Sequence, residues 1–153
     1  MKAWKRFVAT GFYAGFSPFA PGTFGSVIGL LIAVICFRIA LHPAVYLLLT
    51  MLIFLLGLVS SNALVKELKQ DDPQVIVVDE IVGVLITFVG FLSLNVFTGI
   101  AGFILFRLFD ILKPYPIRKL EQIPGGLGVM MDDVLAGLYS NLCLQVLTRV
   151  LIK

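Results

Sequence analysis

The stretch IVGVLITFVGFLSLNVFTGIAGFILF, Ile81 to Phe106, decides the fold. It runs 26 residues without a charge and is interrupted only near Ser93-Leu94-Asn95. Read as one span, it puts its flanking charged segments on opposite faces of a membrane. Read as two helices with a turn near Asn95, it returns the chain to the side it left. A helix rises about 1.5 Å per residue, so each arm needs roughly 20 residues to cross. Arms of Val75 to Leu94 and Val96 to Lys113 reach that length only by taking in Asp79, Glu80, Arg107 and Asp110. Ionisable groups at membrane depth are costly and usually face a polar interior with a function. The hairpin is the preferred reading.

Three other uncharged stretches surround this one: Val27 to Phe37, Pro43 to Val65, and Val134 to Thr148. The second, 23 residues long, is the clearest spanning helix. Of the 153 residues 59% are hydrophobic and 14% charged, with a mean hydropathy of +1.04. Soluble domains run near 45–50% apolar and about 25% charged. Disordered, fibrous and nucleic-acid-binding chains are poor fits. The expectation is an all-α, multi-pass membrane bundle of about four to five helices, residues 1–153 forming one domain.

Lys2, Lys5 and Arg6 make a positive start, but Gly11 and Gly15 break the following apolar run, and no cleavable signal peptide is expected. Cys36 and Cys143 both lie in apolar runs and are expected to be buried packing residues rather than a disulfide. Under the hairpin, Lys2, Lys5, Arg6, Lys66, Lys69, Lys113, Arg118 and Lys119 share one side. Arg38, Arg149 and Lys153 fall on the other. The richer side is then cytoplasmic. Trp4, Tyr13, Tyr46 and Tyr115 lie near span ends, as interfacial anchors would.

Of the nine acids, all but Glu67 and Glu121 fall into three groups. Asp71, Asp72, Asp79 and Glu80 form one group, Asp110 stands in a second segment, and Asp132 and Asp133 form a third. The hairpin brings all three to one membrane face, where carboxylates repel unless protons or a cation intervene. With one histidine and two dispersed cysteines, a zinc site of ordinary ligands is a poor fit. Hard oxygen ligands point to Mg²⁺, held by a few carboxylates with substrate phosphate and water. Asp71 and Asp72 read equally well as solvated loop charges. Asp132 and Asp133 read either as charge at a helix N-terminus, complementing its dipole, or as metal ligands.

In Phe106-Arg-Leu-Phe-Asp-Ile-Leu-Lys-Pro-Tyr-Pro, residues Arg107, Asp110 and Lys113 fall at i, i+3 and i+6, along one helical stripe that Pro114 ends. The stripe is either a structural ion-pair row or a carboxylate beside phosphate-binding cations. The second reading is preferred because the stripe meets the other acids. Ser17-Pro-Phe-Ala-Pro-Gly-Thr-Phe-Gly-Ser leads into the first apolar helix, a setting in which Thr23, Ser26 and nearby amides can bind phosphate. It lacks the GK[ST] end of a P-loop.

Other chemistries drop out. His42 is the only histidine, which excludes lipid phosphatases that use two. Cys143 and Arg149 have the C-x5-R spacing of cysteine phosphatases, but the sequence between them is apolar and lacks glycine.

The motifs together resemble one family, phosphatidylglycerophosphatase A of bacterial phospholipid synthesis. The resemblance runs from about Gly11 to Gly137. It rests on Ser17-Pro…Ala20-Pro-Gly-Thr-Phe-Gly-Ser, Asp71-Asp-Pro-Gln-Val-Ile-Val-Val-Asp-Glu-Ile-Val-Gly, the Phe106 to Ile117 segment, and Gly125-Gly-Leu-Gly-Val-Met-Met-Asp-Asp-Val-Leu-Ala-Gly. It implies hydrolysis of phosphatidylglycerophosphate to phosphatidylglycerol and phosphate, with Mg²⁺, in the bacterial cytoplasmic (inner) membrane. On that reading Asp79, Glu80, Asp132 and Asp133 hold metal, and Asp110 is a further ligand or the base that orients water. Arg107, Lys113, Thr23 and Ser26 then bind phosphate. The alternatives are a phosphatase for another lipid phosphate, such as phosphatidic acid, and a small cation carrier using the same carboxylates.

Overall fold

A computed structural model describes residues 1–151, all-helical with no strand among them. The order is α1 (Ala3–Ala9), a 3-10 turn (Ala14–Phe16), α2 (Pro21–Arg38), α3 (Pro43–Leu68), α4 (Val78–Thr87), α5 (Val96–Leu112), α6 (Ile117–Leu120) and α7 (Gly126–Leu151). Helices α2, α3 and α7 are long and apolar enough to cross a membrane. At 26 residues, α7 is about 39 Å long, enough to span fully. The described chain has seven α-helices; α1 and α6 are the short ones beyond the expected four to five. Lys153 lies outside the described residues.

The hairpin is present. The chain leaves α4 at Phe88 and re-enters helix at Asn95, whose side chain caps α5 by accepting from the Thr98 amide at 2.8 Å. Its first arm is shorter than expected. Helix α4 has ten residues, about 15 Å, rather than the twenty of a full crossing. It stops early because the Asn141 amide of α7 donates to the carbonyls of Ile86, Thr87 and Val89 at 3.3, 2.9 and 2.8 Å. Orphan carbonyls at a helix end need such partners.

Helix α4 is the shaft of the bundle, with eight of its ten residues buried. Helices α2, α3, α5 and α7 all pack on it. Lipid chains are as apolar as leucine, so close packing rather than water exclusion must join these helices. Glycines provide the closeness. A Cβ at Gly25 would sit 2.8 Å from the Val77 carbonyl oxygen, and one at Gly29 2.9 Å from that of Ile81. On the opposite flank, a methyl at Gly137 would collide with the Gly83 carbonyl. Large apolar side chains such as Ile35, Leu48 and Ile104 point outward, where a bilayer would cover them.

Three further expectations change. Tyr46 is buried rather than interfacial, and its hydroxyl donates to the Leu85 carbonyl at 2.8 Å. Cys36 is buried as expected, but Cys143 is exposed on the outer face of α7. Helix α7 begins at Gly126, so Asp132 and Asp133 lie near its second turn and its first turn holds no acid. A dipole acts within the first turn, so the N-terminal-charge reading of this pair falls.

Candidate functional site

All the acids singled out on helices converge at the N-terminal end of α4. A cavity of about 350 Å³ there is lined by the start of α2, the loop before α4, the first turn of α4, the end of α5, and α7. Asp79 and Glu80 come from the first turn of α4, and Asp133 from α7. One ligand oxygen of each of these three lies within 4.8 Å of the other two. Asp79 and Asp133 are buried. Three carboxylates this close repel strongly away from water. Glu80 Oε2 and Asp133 Oδ1 are buried without a hydrogen-bond partner. Two orphaned carboxylate oxygens within this group of three acids are hard donors suited to a divalent cation.

The cations of the α5 stripe are present but already paired. Arg107 meets Asp110 at 2.6 Å and donates to the Ser26 hydroxyl at 3.2 Å. Lys113 bridges Asp132 at 2.9 Å and Glu121 at 3.0 Å. Asp132 therefore differs from its neighbour. One of its oxygens accepts from Lys113 and the other from the Asp133 amide at 3.0 Å, so it stands outside the three-carboxylate group. Lys113 ends α5 in a left-handed conformation, φ 43°, and donates its amide to Phe109.

The start of α2 forms the opposite wall. Ala20 is left-handed, φ 44°, Pro21 occupies the first helical position, and no side chain caps this end. An uncapped N-terminus leaves positive amide character facing the cavity. Thr23 lines the cavity, although its amide is taken by the Ala20 carbonyl at 2.9 Å. Ser26 is fully buried and sits behind Arg107, donating to the Gly22 carbonyl at 2.8 Å. Asp72 and Gln74 complete the rim. The Asp72 carboxyl is pushed above the usual carboxylate range, chiefly by desolvation, with Lys113 pulling it down and Glu121 and Asp110 pushing it up.

Gly22 belongs to the site and was not singled out from sequence, where Pro21-Gly22 reads as punctuation. A methyl at Gly22 would collide with Glu80 Oε1 and come within 3.4 Å of Arg107 Nη1. Its signal was periodicity: Gly22, Gly25 and Gly29 share one helix face, i, i+3 and i+7.

The family model for phosphatidylglycerophosphatase A matches residues 7–148. The chain belongs to that family. A Haemophilus influenzae phosphatidylglycerophosphatase A is 42% identical over 134 residues, 87% of this chain and 82% of that protein. The Escherichia coli K12 protein of the same name is 34% identical over 135 residues, covering 87% and 77%. A Bacteroides thetaiotaomicron protein, provisionally named a phosphatidylinositol-3-phosphatase, is 41% identical over 144 residues, covering 91% and 90%. No solved structure matches. For this family member, the four motifs that carried the resemblance are the ones that meet in space: each supplies residues to the cavity wall, the fourth through Asp132 and Asp133 of α7.

Proposed function

We propose that this chain hydrolyses phosphatidylglycerophosphate to phosphatidylglycerol and phosphate, using Mg²⁺, at the cytoplasmic face of a bacterial inner membrane. The observation that carries the reading is the group of Asp79, Glu80 and Asp133, with two orphaned oxygens, beside Arg107 and Lys113 in one cavity. A cation carrier has no use for two cations at its acids; a phosphatase does. The orientation follows from the basic residues near the cavity end.

Asp79, Glu80 and Asp133 would hold the metal. Bound there, Mg²⁺ supplies neutralisation of phosphate charge and a more acidic water. The chain's own residues do the rest. Arg107 and Lys113 exchange part of their pairing with Asp110 and Asp132 for phosphate oxygens. Asp110, freed from Arg107, accepts the proton of the attacking water. The water oxygen bonds to phosphorus, the ester P–O bond breaks, and the lipid oxygen leaves with the proton that Asp110 took from the water. Asp132 holds Lys113 in place, Ser26 holds Arg107, and Thr23 offers a hydroxyl to phosphate.

The test is phosphate release from purified protein in detergent. Phosphatidylglycerophosphate, phosphatidic acid and phosphatidylinositol 3-phosphate are compared, each with Mg²⁺ and with excess chelator. Chelator-sensitive release from the first lipid alone is expected. Equal release from all three overturns the substrate assignment, release unaffected by chelator overturns the metal, and no release from folded protein overturns the enzyme.

A further inference from the structure

The end of the bundle opposite the carboxylates carries a second lipid-sized feature. Because α4 stops after ten residues, the lower half of the bundle is closed by the Phe88 to Asn95 segment instead of a helix. A groove of about 600 Å³ lies there between α2 and α5. Its walls are Leu30, Val34 and Phe37 on one side and Gly99 and Ile100 on the other; Arg38, Ser93 and Asn95 form its mouth.

Two glycines of α5 show that packing is looser beside the groove than one turn further on. A Cβ at Gly102 would lie 2.5 Å from the Phe88 ring, so that glycine is required by packing. A Cβ at Gly99 would meet only Leu30 and Leu94, at 3.9 and 4.0 Å. Gly99 is buried, yet it leaves room for a Cβ at ordinary van der Waals distance from both leucines. From Leu30 to Arg38 the α2 wall is about 12 Å long, close to the hydrocarbon depth of one leaflet, roughly 15 Å.

Charge identifies the occupant. All nine acids lie toward the other end of the bundle. Arg38 is exposed and forms no ion pair among the described residues. Arg149 lies on the other side of the same 90–95 segment, in a neighbouring cavity that shares Leu92, Ser93 and Asn95. An apolar trough of leaflet depth, with an unpaired guanidinium and two small polar side chains at its mouth, matches an acyl chain below an anionic phosphate. Guanidinium and phosphate are well matched in geometry and charge. We propose that this α2–α5 groove binds an anionic phospholipid from the leaflet opposite the carboxylate site, with Arg38 on its phosphate.

The test reads the groove without reference to hydrolysis. Trp4 is the only tryptophan, so a Trp4→Phe, Ile100→Trp protein reports from the groove alone. It is reconstituted in phosphatidylcholine vesicles containing brominated phosphatidylglycerol or brominated phosphatidylcholine, whose bromines quench only at contact. Phosphatidylglycerol is expected to be favoured about fivefold at equal mole fraction, and Arg38→Gln in the same background is expected to erase the preference. Gly99→Leu, which fills the trough, is expected to weaken quenching by either lipid. Equal quenching by both lipids, or a preference that survives Arg38→Gln, overturns the site.

Discussion

The two ends of α4 use polar groups in opposite ways. At its start, Asp79 and Glu80 meet Asp133, and two oxygens are left without partners. At its finish, one Asn141 amide reaches three carbonyls, and Gln145 donates to the Asn141 oxygen at 2.7 Å. One end is over-supplied with acceptors and the other is satisfied within the protein. Unsatisfied buried groups destabilise a fold by about 1–3 kcal/mol each. The contrast separates a candidate site with unpartnered acceptors from a joint that fixes the helix supporting it.

The sharpest way to break the comparison is at the over-supplied end. Asp79→Asn or Asp133→Asn is expected to lower phosphate release by more than about a hundredfold, while thermal stability holds or rises as repulsion is relieved. An Asp79→Asn protein with full Mg²⁺-dependent turnover would remove Asp79 from the site. Next comes Gly22→Ala, which displaces the Glu80 carboxylate. About a ten- to hundredfold loss of kcat is expected with little change in unfolding temperature, and a fully active Gly22→Ala protein would show that the contact with Glu80 is immaterial.

At the satisfied end the expected effect changes kind. Asn141→Ala uncovers buried carbonyls and is expected to destabilise the fold by about 1–3 kcal/mol, measured by unfolding in detergent. The kcat of the remaining folded protein should not move; if kcat falls with stability unchanged, the two ends are not separable as argued. Smaller still is Ser26→Ala. Arg107 keeps Asp110 but loses its backing hydroxyl, which is expected to raise KM about fivefold with kcat nearly constant. Ser26→Thr should restore KM if the hydroxyl is what matters. Cys143→Ala, on the exposed face of α7, is expected to change stability by less than about 0.5 kcal/mol, as an unfolding midpoint will show.

Much of this was legible in the sequence because charge inside apolar sequence is conspicuous. Ile81 to Phe106 gave away the hairpin, and the stripe of Arg107, Asp110 and Lys113 gave away its polar face. The start of α7 was hidden, since Gly125-Gly-Leu-Gly reads as loop and yet Gly126 and Gly128 lie in helix. There a methyl at Gly126 would strike Asn62 of α3, so glycine serves close packing rather than a turn. The shortness of α4 was also hidden, because Asn141, which terminates it, is 54 residues from Thr87. Local sequence carries no trace of such a partner. The division of labour between Asp132 and Asp133 was likewise invisible: adjacent helical residues point about 100° apart, and only the position of Lys113 decides which one is neutralised.

The central place of α4 has a consequence for the order of events during synthesis. Asp79 and Glu80 leave the ribosome long before Asp133, so the three-carboxylate group is complete only with the last helix. The site closes only when α7 has packed along Gly83 through Gly137. A chain cut short before its last helix would hold Asp79, Glu80, Arg107 and Lys113 without Asp133 to complete the group. Should these three carboxylates hold a metal as proposed, its uptake would double as a report that the last helix is in place.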